Sequence, residues 1–78
     1  MNMVIEITSL PGYSVENGQP LDKKRYRVVV SDGTRRVTVE ARLDLGMVEM
    51  LADEPEESIR KYFATKPLPE HGSVFDVL

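Results

Sequence analysis

From Met3 to Thr8 and again from Arg25 to Leu45, apolar side chains recur mainly at every second position, the period of a strand with one face buried. Beyond Asp44 the spacing widens to that of a helix. Met3, Ile5 and Ile7 share one side of a first predicted strand, Met3 to Thr8, which should end before Pro11-Gly12. Residues 11–24 then carry three turn signals, Pro11-Gly12, Asn17-Gly18 and Gln19-Pro20, with only Tyr13, Val15 and Leu21 as apolar anchors. They read as a surface connection. Its length is near the upper limit for a structureless segment in a compact domain, and long loops often carry function, so a binding loop is the sharper alternative.

The pattern is clearest around Asp32-Gly33. Arg25 to Ser31 and a strand beginning at Thr34 flank this pair, which suits the positive φ angles of a two-residue type I′ turn. Such a turn opposes Val28 to Val37, Tyr26 to Val39 and Arg25 to Glu40. One face of the hairpin then collects Tyr26, Val28, Val30, Val37, Val39, Ala41, Leu43 and Leu45, with Arg35 at its rim. The other shows Arg25, Arg27, Val29, Arg36, Thr38, Glu40 and Arg42. A three-residue loop would scatter the apolar residues over both faces, which a half-buried sheet does not tolerate.

After the hairpin, Asp44 is placed to cap a helix carrying Met47, Val48, Met50 and Leu51, although Gly46 is a poor helix former. A second start lies at Asp53-Glu54-Pro55-Glu56-Glu57. Acidic residues complement the positive end of the helix dipole, and proline suits the first helical position. Whether 44–65 forms one kinked helix or two is left open by the pattern. Ile59, Tyr62 and Phe63 mark the buried face, and Pro67 should stop the helix near Thr65. Pro67-Leu68-Pro69 is extended, and Gly72 releases a last strand, Ser73 to Leu78. The apolar carboxyl-terminal residues fit that strand better than an exposed tail, because a small core needs Phe75 or Val77.

These elements predict one α+β domain over residues 1–78. Its small, mostly antiparallel sheet follows the order β-β-β-α-β, with one helical layer packed on the apolar face. A chain of 78 residues buries only roughly 60% of its unfolded surface. Its core must be efficient or completed by a second copy, and a homodimer is expected. The absence of cysteine excludes thiol catalysis and thiolate metal sites, and makes the cytoplasm the expected compartment. No apolar run is long enough to span a membrane, so no membrane partner is expected.

Charge changes the picture more than composition does. The net charge of −3 conceals a basic middle, where Lys23, Lys24, Arg25, Arg27, Arg35, Arg36 and Arg42 meet only Asp32 and Glu40. Both flanking segments are acidic. Four of these arginines, Arg25, Arg27, Arg36 and Arg42, fall on the outer hairpin face and are the candidate binding residues. A guanidinium grips carboxylate or phosphate in a planar fork.

No aromatic interleaves the arginines, which disfavours single-stranded nucleic acid. The expected partner is a protein whose identity the sequence leaves open, an acidic one being the candidate, and phosphate contact by an accessory nucleic-acid-binding protein is the alternative. A face that is merely solvated is the third reading. His71, the only histidine, reads as a solvated loop imidazole, and the carboxylates from Glu49 to Glu57 lack the spacing of a calcium loop. No phosphate-binding glycine loop occurs. The expectation is a non-enzymatic interaction or regulatory module without metal or cofactor.

Overall fold

The computed structural model describes residues 3–51 and 54–77, and for 12–16, 20, 21 and 51 the backbone alone. Four strands form one sheet in the order β1-β2-β3-β4: β1 (Val4–Glu16), β2 (Gln19–Ser31), β3 (Arg36–Asp44) and β4 (Val74–Asp76). Between β3 and β4 lie α1 (Leu45–Leu51) and α2 (Pro55–Ala64). The first three strands are antiparallel, and β4 joins β3 in parallel.

The first strand does not stop before Pro11, and residues 11–24 are not a loop. They form the outer half of a long β1–β2 hairpin that turns at Asn17-Gly18. Both turn residues take positive φ, +52° and +76°, as Asn-Gly does in tight hairpins. Pro11 is accommodated because the ladder is irregular there. The chain runs from Ser9 to Tyr13 on β1 while only Tyr26 to Lys24 passes on β2, and a compensating slip between Tyr13 and Val15 restores the alignment. Such irregularities at a sheet edge tolerate a residue without an amide hydrogen.

The β2–β3 register also differs from the sequence expectation. Val28 pairs with Val39, Val30 with Val37 and Tyr26 with Ala41, and β3 begins at Arg36 rather than Thr34. The turn is set by Asp32, whose Oδ1 accepts from the backbone N–H groups of Thr34 and Arg35, both at 2.8 Å. Gly33 takes a φ of +92°. The pairing slips by two residues relative to a type I′ turn at Asp32-Gly33, and two is the side-chain period of a strand. Within the paired strands every facing assignment therefore survives while every opposed pair changes; Arg35 falls in the turn and Leu45 in the helix that follows rather than on the strand face.

The buried face holds Ile5, Tyr26, Val28, Val30, Val37, Val39, Ala41 and Leu43, covered by Ile59 and Phe63 of α2. Burying a core side chain of this size stabilises by roughly 1.5–3 kcal/mol. Phe63 makes edge-to-face contacts with Tyr62 and Phe75, the latter at a centroid distance of 5.3 Å, which ties α2 to β4. Both helix starts agree with the sequence reading at Asp44 and Pro55, while Asp53, expected between them, lies outside the described residues. Asp44 Oδ1 accepts from Gly46 N at 2.9 Å, Pro55 opens α2, and Thr65 closes it. The helical region is two helices. The last strand is shorter than expected, Val74–Asp76, and Leu78 lies outside the described residues.

Backbone polarity explains how the sheet edges are treated. Thr38, Glu40 and Arg42 turn their N–H and C=O groups towards the 71–77 segment. Alternation across the antiparallel ladders then sends the groups of Ile5 and Ile7 to the outer edge of β1. There, Arg60 of α2 donates to the carbonyl of Ile5, so the helix shields part of an edge that would otherwise be open to another strand.

Candidate functional site

The sheet face away from the helices carries all four candidate arginines, because each occupies the strand parity opposite to the buried valines. Arg25 and Arg27 come from β2, Arg36 and Arg42 from β3. What surrounds them was only partly legible. β1 contributes Glu6, β4 contributes Asp76, and the longer β2 brings Lys23 onto the same face.

Three of the four arginines are engaged. Arg25 donates through Nε and Nη2 to one oxygen of Glu40, at 3.1 and 2.9 Å, in a partly buried pair. Arg42 meets Asp76, with Nη2 3.2 Å from Oδ2 and Nε 3.1 Å from Oδ1, the latter an ion-pair contact without hydrogen-bond alignment. Lys23 reaches the same carboxylate at 3.0 Å. The hydrogen bond from Lys23, followed by that from Arg42, holds the Asp76 carboxyl below its ordinary value despite some opposing desolvation. Arg36 lies 3.6 Å from Glu6, and both are well exposed.

Arg27 differs. It is exposed, and among the described residues it has no ion-pair partner. Its cross-strand neighbours are Thr8 on β1 and Glu40 on β3, and the Glu40 carboxylate is turned to Arg25. Arg27 stands beside a shallow depression of about 320 Å³ whose lining includes the Arg25–Glu40 pair as well as Leu10, Thr38, His71 and Val74.

His71 is exposed, as expected of a loop residue, but it is anchored. Its Nδ1 accepts from the backbone N–H of Thr38 at 3.3 Å, and the neighbouring Gly72 N–H donates to the Thr38 carbonyl at 2.8 Å. Gly72 adopts a φ of +82°, which lets the chain swing alongside β3. The imidazole thus continues the β3 edge where β4 has not yet begun. Nothing in the local sequence around His71 could have placed it there, because the contact spans the chain from residue 38 to residue 71.

Among the described residues, no group of three or more His, Asp or Glu side chains is arranged to hold a metal ion, and no helix is long and apolar enough to cross a membrane. Compared with family models, with curated proteins and with solved structures, the chain matches none.

Proposed function

We propose that the chain is a non-enzymatic protein-interaction module that presents its outer sheet face to an acidic protein partner. The observation that carries this reading is the exposed Arg27, without an ion-pair partner among the described residues, in the middle of a face whose other arginines stand beside carboxylates. Carboxylates beside the other three arginines leave one available guanidinium, which favours recognition of a discrete acidic group, with Leu10 and Val74 offering apolar contact beside it.

The competing reading, phosphate contact by all four arginines, is less well supported by this arrangement. Binding to a nucleic acid backbone draws on several available cations that displace counterions together. Here Arg25, Arg36 and Arg42 each have a carboxylate nearby, and those carboxylates would face the phosphates.

The test is affinity capture with the wild-type chain and with Arg27→Glu, read by mass spectrometry, beside a shift assay with mixed-sequence DNA and RNA. A protein retained by the wild type and lost by the variant, with salt-insensitive core contacts, supports the reading. Identical capture by both chains, or tight salt-sensitive binding of the oligonucleotides, rejects it.

A further inference from the structure

We propose that Arg27 and the Nε2–H of His71 together form a seat for a single carboxylate on an acidic segment of a partner protein. The inference rests on the reading of the outer face given above and specifies what that face recognises.

Its first support is the hydrogen bond that the His71 ring accepts. A ring nitrogen that accepts a backbone N–H must present a lone pair, so Nδ1, bonded to Thr38 N–H, is unprotonated. The proton of the neutral ring then sits on Nε2. Thr38 donates to the His71 ring and the next residue's N–H donates to Thr38 in turn, which holds His71 beside β3 and leaves Nε2–H as the free donor of a residue that lines the same depression as Arg27.

The second support is the division of labour between Arg25 and Arg27. Glu40 lies directly across from Arg27, yet its carboxylate accepts both hydrogen bonds from Arg25. Arg27 keeps its planar fork for an external acceptor. Arg27 and His71 come from opposite sides of β3, one on β2 and one on the segment leading into β4, so an acid held between them would lie across the sheet.

Charge and size select the occupant. Arg25 and Glu40 stand at the same depression but are paired with each other, so Arg27 supplies the one uncompensated charge there, which suits one carboxylate and disfavours a chain of phosphates. About 320 Å³ of open space accommodates a side chain and its neighbours rather than an enclosed cofactor. Val74, which is 52% exposed, and Leu10 supply apolar walls for residues flanking the acid.

The experiment uses two probe peptides, acetyl-Val-Glu-Val-amide and its Gln counterpart, titrated into the isotope-labelled full chain and followed by NMR at the Arg27 and His71 side chains. The Glu peptide should shift both side-chain signals in the millimolar range, and the Gln peptide should not. Arg27→Lys should weaken binding several-fold and Arg27→Glu should abolish it.

Two histidine variants separate the donor from the anchor. His71→Asn retains an acceptor near Nδ1 but has no donor at Nε2, and should weaken binding several-fold. His71→Gln places an amide N–H near Nε2 and should bind more tightly than the Asn variant. Equal binding of Glu and Gln peptides, shifts confined to other basic residues, or wild-type affinity in His71→Asn would each overturn the seat. If the seat fails while Arg27→Glu still abolishes capture of a protein partner, the wider reading of the face stands without it. A larger Arg27 response to a DNA 12-mer than to the Glu peptide would overturn both.

Discussion

Arg25 and Glu40 are paired diagonally across the sheet. The residue directly opposite Arg25 is Arg42, and the residue directly opposite Glu40 is Arg27, yet Arg25 holds the Glu40 carboxylate with two donors. The diagonal relieves the juxtaposition of Arg25 with Arg42, which has Asp76 of its own. It also leaves Arg27 available. A double-mutant cycle with Arg25→Ala and Glu40→Ala should give a coupling of about 0.5–1 kcal/mol, since both side chains retain some solvent contact. The same cycle run on Arg27 and Glu40 should give a coupling near zero in thermal or urea unfolding.

The facing of the strands is tested by neighbouring substitutions. Val37 is fully buried and Thr38 lies on the outer face, so Val37→Asp should unfold the domain by leaving a charge without a partner in the core. Thr38→Asp should change the unfolding midpoint little. Phe63→Ala, which removes the ring that joins α2 to Phe75, should cost about 3–5 kcal/mol in urea unfolding. Equal effects from the two aspartate substitutions would contradict the facing.

Acid stability should depend on two carboxylates. The backbone N–H groups of Arg35 and Thr34 hold Asp32 below its ordinary value, and Lys23 and then Arg42 do the same for Asp76. A carboxyl whose folded value is depressed stabilises the fold above its unfolded value of about 4, and that contribution is lost as pH falls through the folded value. Asp32→Asn and Asp76→Asn should therefore lower stability at pH 7 and flatten its decline on acidification. Melting curves collected between pH 7 and pH 2 would show a parallel decline in variant and wild type if the two groups contributed nothing.

Arg60 guards the sheet edge in this structure. Its bond to the Ile5 carbonyl places a helix side chain against the outward groups of β1, and Arg60→Ala uncovers them. The variant should lose about 1 kcal/mol of stability and self-associate more readily than the wild type. Sedimentation equilibrium on both chains measures the difference, and identical mass distributions would remove the guarding role.

Much of the architecture was legible because it is local. The period-two alternation assigned Tyr26, Val28, Val30, Val37, Val39, Ala41 and Leu43 to one face, and any turn length of the correct parity preserves that assignment. Asp44, Pro55 and Pro67 marked the helix boundaries through capping and backbone restrictions that act within a turn. Asn17-Gly18 carried as clear a hairpin signal as Asp32-Gly33. It was obscured by the proline and glycine around it, because the compensating irregularities that let Pro11 lie within an edge strand exist only when β1 and β2 are aligned.

The sequence by itself thus determined which side of the central hairpin faces the core, and hence that four arginines share the outer face. Tertiary structure decided what those arginines meet. Register chose Arg42 as the neighbour of Arg25, β1 brought Glu6 to Arg36, and parallel docking of β4 brought Asp76 to Arg42 and Lys23. The physical reason is range. Alternation and capping are satisfied by neighbours in the chain, whereas ion pairing depends on side chains within about 4 Å in space, and only the assembled sheet sets those distances.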